Sequence, residues 1–562
     1  MGGWYAPVHS QSREARRGPL SLLLGLVLLI ALLTATALVS LWVAGAPEHP
    51  LHDITHYKYW VKLVAERGIA GGYSGEWPHT YVIYPPAMLY VYKLIGMLQQ
   101  WWPTEPPALS ALMSMDPFGW AVWGRPPWES FLIKVPNIAA HLALAVLIYA
   151  LLWRWHGLAA AVVGATSYAL NPALLLDAVY WAQPDPFYSF FLVAAFAGLA
   201  GRLPEIAWAG MALAAMAKPQ AWIYLPLLAW LSLPRLGLGG TLRGITAAAL
   251  AVVAISWPFV REGRVHEEVG LVRAIANVMP VVSANSHNLW WLLLLYRPSP
   301  SGDEAQAIGR SEVVWWLRQP PAPLELKDSV PAVPPLTFRD VALLLIGAAL
   351  VAVSLRLACG YTPARLCSGA GLLGFSFVMG VTGAHENHLY GVLPLLALAW
   401  PTSWPLALVY VVLSFTFWNN LALHDYLLGD RYAALLGGPA GVDARTVTWW
   451  NAWLNVAALV LWVWAFFLEQ LPRHAPRLVP AFRLPRRLLW LGAAGSWLGA
   501  GAAISALVLL LDREVVTQVS RFLLLLAAAL GIVALELSLF LWLTRDRAES
   551  ARRMPLAERT GL

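Results

Sequence analysis

Long apolar runs separated by short polar turns make up most of this chain. The first run, about 19–44, follows Arg13, Arg16 and Arg17, so its N-terminal end is expected in the cytoplasm. Further runs lie near 131–152, 158–178, 186–201, 205–217, 220–234, 243–260, 338–358, 366–382, 388–402, 403–420, 448–468, 488–510 and 520–544. A helix needs about 20 apolar residues to cross a bilayer. The pattern therefore predicts an all-α, polytopic transmembrane bundle of about fourteen spans, some of them tilted or broken.

The stretch 84–102 fits either a further span or an amphipathic helix lying on the membrane surface. If it lies on the surface, the basic turns of the chain all fall on the cytoplasmic side, as the positive-inside rule requires: Arg154, Arg202, Arg235, Arg243 and the loop 473–487. The pattern thus predicts an interfacial helix within a first outer loop, 45–130. Both termini are then cytoplasmic, and the other outer segments are 179–186, 261–337, 383–388 and 421–447.

The composition indicates that most of the chain lies in the lipid bilayer, since 59% of residues are hydrophobic and 12% are charged. The net charge of +7 follows from basic cytoplasmic turns, so nucleic acid is not expected as a partner. Cys359 and Cys367 form neither a disulfide framework nor a metal-ligand pattern. We expect a multi-pass protein of the cell membrane, surrounded by lipids.

The first outer loop begins with a polar and aromatic cluster around one carboxylate, Asp53. Asp53 is either an ordinary solvated loop charge or a general base for an acceptor hydroxyl. His52, Tyr57 and Trp60 surround it in sequence and are of the types that bind sugar rings.

A second group combines Asp177, Gln183 and Asp185 at a proline-restricted outer turn with Lys218 between two short runs. Carboxylates at the hydrocarbon margin are costly without partners. No acid lies near Lys218 in the sequence, which suggests an accompanying anion such as phosphate, or else a side chain that extends to the interface.

A third group follows another predicted outer helix end, with His385, Glu386 and His388 in succession around an asparagine. The spacing lacks the i, i+4 histidine pair of a zinc protease helix, so a zinc hydrolase is rejected. Asn288, before Trp290–Trp291, belongs either to a sugar platform or to an interfacial anchor.

These distant groups fall on one side of the membrane under a topology set only by Arg and Lys, which predicts a single outer-face site. The alternative class is a transporter or lipid flippase, which places ionisable groups mid-helix near the bilayer centre. His141 is the clearest mid-span candidate, and one histidine does not make a pathway.

The segments HDITHYKYW, YPPAMLY, KVPNIAAH, NPALLLDAVYWAQPD, AKPQA, NSHNLWWLL and HENHLY, in this order, resemble the GT-C superfamily of membrane glycosyltransferases. The similarity is greatest to prokaryotic mannosyltransferases related to the second mannosyltransferase of GPI-anchor synthesis. It covers about 45–400, so we expect a catalytic module over 1–400 and further transmembrane helices over 401–562. The pattern departs from the family in places: Ala182 replaces a glycine of the Trp-Gly-Gln motif.

The resemblance implies inverting transfer of a hexose, mannose by preference, from a polyprenyl-phosphate donor to a hydroxyl of a glycan, glycolipid or protein. It implies Asp53 as the general base and a positive donor-phosphate site. The donor site is expected at Lys218, His385, Glu386 and His388, and the sugar or acceptor site at His52, Tyr57, Trp60, Tyr84, Gln183, Asp185 and Asn288. No cofactor is required, although Asp53, Asp185 and Glu386 would suit a divalent metal if they converge. An oligosaccharyl- or protein-O-glycosyltransferase is the rival enzyme.

Overall fold

The computed structural model describes residues 19–48, 52–75, 82–113, 126–275, 280–294, 328–329, 331–333, 336–429, 432 and 444–468. Within these ranges the protein is almost entirely helical, as the hydrophobic pattern predicts. The described strands form one short antiparallel pair, Pro331–Val333 with Leu336–Thr337. The predicted runs 488–510 and 520–544 lie outside the described residues.

Seventeen α-helices are numbered here in chain order within the described ranges. They are α1 Pro19–Ala44, α2 Ile54–Arg67, α3 Ala87–Trp101, α4 Pro107–Met113, α5 Trp128–His156, α6 Leu158–Ala169, α7 Pro172–Leu175, α8 Asp185–Gly201, α9 Pro204–Ala217, α10 Leu225–Arg261, α11 Val265–Ile275, α12 Leu289–Leu294, α13 Phe338–Ala358, α14 Pro363–Gly380, α15 Val392–Ala397, α16 Trp404–His424 and α17 Ala444–Leu468.

Six described helical segments are long and apolar enough to cross a membrane. They are Leu20–Ala44, Trp128–His156, Pro219–Arg261, Phe338–Ala358, Trp404–His424 and Thr446–Phe467. A seventh span results if α6 and Pro172–Tyr180, which meet at a 46° bend, count as one broken helix. The predicted number of about fourteen is therefore not confirmed.

Part of the difference arises because some apolar runs are buried by protein. The run 388–402 is not one helix but a 3₁₀ turn, the six-residue α15 and a second 3₁₀ turn. Leu393, Leu395 and Leu396 are each 0% exposed, so packing accounts for their apolar character. The runs 186–201 and 205–217 form α8 and α9, which have 17 and 14 residues.

Helix α3 is the element predicted to lie at the interface. Its 15 residues give a length of about 22 Å, short of a hydrocarbon core of about 30 Å. One face is buried through Met88, Leu89 and Tyr92, while Leu94 and Trp101 are exposed. This amphipathic packing on α2 agrees with the interfacial interpretation; the orientation relative to a bilayer stays a prediction.

Helices α8 and α9 form a tight hairpin because glycines let the two backbones approach closely. A Cβ atom at Gly198 would lie 2.7 Å from the Ala207 nitrogen, and one at Gly210 would lie 3.0 Å from the Phe191 oxygen. Small residues at helix contacts are typical of membrane bundles. The hairpin places the first residue of α8, Asp185, at the same end as the residue that follows α9.

Candidate active site

Asp53 occupies the N-cap position of α2, yet its side chain makes no capping hydrogen bond. Asp at this position ordinarily accepts from the first backbone N–H groups of the helix. The Asp53 carboxylate instead accepts a short hydrogen bond from the Gln183 amide nitrogen, and the residue is exposed. The helix start therefore presents an accessible carboxylate whose orientation is set by a residue 130 positions away in sequence.

Gln183 is 1% exposed, and both ends of its amide are engaged. Its Oε1 accepts from the hydroxyls of Tyr57, at 2.9 Å, and Tyr84, at 3.1 Å. Because burial raises the pKa of both tyrosines, each hydroxyl keeps its proton and remains a donor. Two donors on Oε1 leave Nε2 to face Asp53.

Four aromatic residues between α1 and α4 pack against one another beneath Asp53. Tyr57, Trp60, Tyr84 and Tyr92 are 2–8% exposed, and Trp60 lies 5.3 Å from Tyr57 and 5.7 Å from Tyr84 between ring centroids. The prediction of a sugar-binding platform at Trp60 is not supported by this packing, because the ring faces its aromatic neighbours rather than the solvent.

Lys218 forms a buried ion pair with Asp185, which corrects the expectation that no acid accompanies it. Its Nζ lies 2.7 and 2.6 Å from the two carboxylate oxygens, and the side chains are 3% and 0% exposed. The partners are 33 residues apart, and the α8–α9 hairpin brings them together. Lys218 Nζ also lies 5.8 Å from the Tyr84 ring centroid. Through Tyr84 and Gln183, the ion pair and Asp53 thus belong to one contact network.

The turn that carries Gln183 has an unusual backbone. A π-helical turn, Leu176–Tyr180, precedes it, and Ala182 has φ of 60°, in the left-handed region. The Ala182 carbonyl accepts from Asn137 Nδ2 at 2.6 Å, which holds the turn in place. A left-handed conformation favours glycine. Ala182 therefore stands where the glycine of the Trp-Gly-Gln motif would relieve backbone strain.

Asp177, in the same π-helical turn, is 0% exposed, and neither carboxylate oxygen has a hydrogen-bond partner among the described residues. It interacts electrostatically with Asp185 and Lys218. Lys218 thus makes its direct ion pair with Asp185, and Asp177 lies close enough to interact with both charges.

His385, Glu386 and His388 lie in a 3₁₀ turn that docks on the segment carrying Asn288. The Ala284 amide donates to the Ala384 carbonyl at 3.0 Å. His385 Nδ1 and Glu386 Oε2 are 3.7 Å apart, which is an ion-pair distance rather than a hydrogen bond. Burial opposes the protonated imidazole, but the Glu386 carboxylate dominates and raises the pKa of His385 above its ordinary value. The charges of Asp53 and Lys218 also act on His385, which places it beside the network.

Asn288 has a structural role, contrary to the sugar-binding prediction. It is 0% exposed, its Oδ1 accepts from the backbone amides of Trp290 and Trp291, and its Nδ2 donates to Val378 O at 3.2 Å. Trp290 and Trp291 are 2% and 1% exposed, so they are neither a sugar platform nor an interfacial anchor. His141 is likewise used in packing, between the hydroxyls of Tyr168 and Tyr390.

His52 and a residue that sequence analysis missed, Asp425, form a further pair beside Asp53. His52 Nε2 lies 3.2 Å from Asp425 Oδ2, and both side chains are buried. Asp425 follows α16, beyond the module boundary predicted at 400, so the C-terminal part of the chain contributes to the site. A sequence signal existed: polar Asn419, Asn420 and His424 interrupt an otherwise apolar run just before it.

Within the described residues, no group of three or more His, Cys, Asp or Glu side chains is arranged to hold a metal ion. Asp53, Asp185 and Glu386 do not converge on one point: Asp53 pairs with Gln183, Asp185 with Lys218, and Glu386 with His385. The free cysteines Cys359 and Cys367 lie outside the site.

The fold and the site define a helical protein with several membrane-length helices and a charged, aromatic network assembled from distant loops. No protein-family model matches the chain, and the search of curated proteins finds no match. The particular activity therefore rests on the residues themselves.

Proposed function

We propose that this protein is an inverting glycosyltransferase that moves a hexose, mannose by preference, from a polyprenyl-phosphate donor to an acceptor hydroxyl at the outer face of the cell membrane. The observation that carries the proposal is Asp53, an exposed carboxylate oriented by Gln183 beside His385 and the Lys218–Asp185 pair. The acceptor is a glycan, glycolipid or protein hydroxyl.

In this reaction Asp53 removes the proton of the acceptor hydroxyl as the acceptor oxygen attacks the anomeric carbon. A bond forms between that oxygen and the anomeric carbon, while the bond from the anomeric carbon to the phosphate oxygen breaks on the opposite face. The transition state resembles an oxocarbenium ion. Polyprenyl phosphate leaves as an anion, so the step needs no general acid, and the proton stays on Asp53.

The donor phosphate needs nearby positive charge, and His385 and Lys218 differ in how far their charges are available to it. His385 is partly exposed, and the Glu386 carboxylate raises its pKa, so it is the group suited to direct contact with phosphate. Lys218 is buried and paired with Asp185. Its charge is therefore offset by Asp185, so Lys218 contributes through the position of this pair beneath the site rather than as a free cation. His388, whose Nδ1 accepts from the His385 amide at 3.4 Å, fixes the turn.

The direct test uses purified protein with radiolabelled polyprenyl-phosphate-mannose and, separately, polyprenyl-phosphate-glucose, plus a membrane lipid extract. Asp53→Asn is expected to reach the membrane folded and to lose about 100-fold or more of the transfer rate, the usual contribution of a general base. Glu66→Gln is the matched control. It removes one negative charge from the other end of α2, where Glu66 pairs, among the described residues, with exposed Lys62 at 4.0 Å. Retention by Asp53→Asn of more than about a tenth of the wild-type rate would remove Asp53 from the base role.

A transporter or lipid flippase is the second candidate, and the buried Asp185–Lys218 pair favours it because transporters hold ionisable pairs inside the bundle. Here, however, Asp185 begins α8 and Lys218 follows α9, so the pair lies at helix ends rather than mid-helix. Absence of label transfer from both donors, together with movement of a labelled polyprenyl-phosphate sugar across reconstituted vesicles, would favour this candidate.

A further inference from the structure

The Asp425 carboxylate is a meeting point for three segments of the chain. It lies directly after α16, is 1% exposed, and accepts hydrogen bonds through both oxygens. Oδ1 accepts from the backbone amides of Leu427, at 2.8 Å, and Leu428, at 2.7 Å, with the Tyr180 hydroxyl farther away at 3.4 Å. Oδ2 accepts from Trp181 Nε1 at 2.8 Å and lies 3.2 Å from His52 Nε2.

The two oxygens therefore have different tasks. The close donors to Oδ1 are the backbone amides two and three residues after Asp425, so this oxygen stabilises the turn that Asp425 begins. Oδ2 holds two side chains that are 244 and 373 residues away in sequence. A cap alone would not need the second oxygen to be buried against Trp181 and His52.

Both side chains held by Oδ2 are adjacent to the proposed catalytic pair. His52 immediately precedes Asp53, and Trp181 is two residues before Gln183, which donates to Asp53. Asp53 and Gln183 thus depend on the backbones that Asp425 ties together. The intervening Ala182 is in a left-handed conformation, so the turn needs external support to hold its geometry.

We infer that Asp425 is a positioning residue: through His52 and Trp181 it fixes the distance between the Asp53 carboxylate and the Gln183 amide. The expected effect on kcat rests on the proposed function, whereas the expected effect on the geometry at Asp53 rests on the contacts of Asp425. The residue itself touches neither donor nor acceptor.

The isosteric change Asp425→Asn separates the two tasks of the carboxylate. The retained amide oxygen still accepts from the backbone amides of Leu427 and Leu428, whereas the new NH₂ group cannot accept from Trp181 Nε1 and has no negative charge to attract His52. Misplacement of catalytic groups by about 1 Å costs up to about 100-fold in rate. The expected result is a loss of about tenfold or more in kcat, with KM for polyprenyl-phosphate-mannose within about threefold of wild type.

Tyr180→Phe is the matched control, because it removes the long bond to Oδ1, keeps the ring beside His52 and leaves the Oδ2 contacts in place. It is expected to keep kcat within about twofold of wild type. If Asp425→Asn does not fold, His52→Ala gives the same test from the other side of the contact, since it leaves the Asp425 cap and the Trp181 bond in place. Wild-type kcat in folded Asp425→Asn, or a change confined to KM, would overturn the inference. So would wild-type kcat in His52→Ala.

A second readout works even if the wild-type protein transfers no sugar. With Cys359 and Cys367 replaced by alanine, Asp53→Cys is labelled by a water-soluble maleimide, and the rate is compared with and without Asp425→Asn. Loss of positioning should change the labelling rate by about threefold or more, since access at a helix start depends on the adjoining turn. An unchanged rate would overturn the positioning role, whereas absence of transfer by wild type with a changed rate would overturn only the proposed function.

Discussion

The contact between Gln183 and Asp53 predicts how the activity responds to one added charge. Gln183→Glu keeps the shape of the side chain and the oxygen that accepts from Tyr57 and Tyr84. The amide nitrogen that donates to Asp53 becomes a second carboxylate oxygen. At high pH the two carboxylates repel each other, and at lower pH they share a proton that blocks Asp53 as a base.

The size of the effect follows from the short separation. Two like charges about 4 Å apart repel by about 1 kcal/mol in water and about 4 kcal/mol at an effective dielectric constant of 20. Because Asp53 is exposed while Gln183 is buried, we expect about 1–3 kcal/mol. One pH unit corresponds to about 1.4 kcal/mol, so the acid limb of the pH–rate profile should move upward by about 1–2 pH units.

The assay is kcat for sugar transfer measured across the pH range in wild type and Gln183→Glu, with Gln100→Glu as the control. Gln100 is exposed at the end of α3, so Gln100→Glu adds the same charge to the protein without contacting Asp53. An acid limb that stays within about 0.3 pH units of wild type in Gln183→Glu would refute the role of ionised Asp53 as the base, since the expected shift is several times larger.

Two further predictions concern the other charged groups of the site. Lys218→Met leaves the buried carboxylate of Asp185 without its cation and should destabilise the protein by about 3–5 kcal/mol. Lys218→Met with Asp185→Asn should recover much of this in thermal unfolding, and no recovery would contradict the pairing. Because the pKa of His385 is raised in the folded protein, its contribution to stability is full at low pH and is lost as the pH rises through the folded-state pKa. Because the pKa of Glu386 is lowered, its contribution is present at higher pH and is lost as the pH falls through the folded-state pKa. The pair should therefore stabilise most between about pH 4.5 and 6.5, and Glu386→Gln should lower the unfolding temperature most within that interval and less on either side of it; an equal effect at every pH would contradict the ion pair.

Part of the site was predictable from the sequence because topology constrains where loops meet. Placement of Arg and Lys put Asp53, Gln183 and His385 on one side of the membrane, and the contacts bring these residues together. The partner of Lys218 was not predictable from spacing, because only the α8–α9 hairpin brings Asp185 within reach.

The remaining errors have physical causes. Asn288 is of a residue type common in binding sites, but its side chain accepts hydrogen bonds from the backbone of α12 and donates one to the Val378 carbonyl. The run 388–402 has the composition of a membrane span, but hydropathy does not distinguish burial in protein from burial in lipid. Asp425 lacks a motif of its own, since its significance comes from Trp181 and His52 far away in sequence.

The broken, fully packed segment around α15 has a practical consequence for mapping the topology of this chain. Reporter enzymes fused to truncated chains that end near residue 400 would lack α16, which packs on α15 in the complete fold. In such a fragment the leucines of α15 would lose the packing that α16 supplies, and the reporter would indicate the position that an incomplete bundle adopts. Tags inserted into the full-length chain keep α16 in place and are the sounder choice.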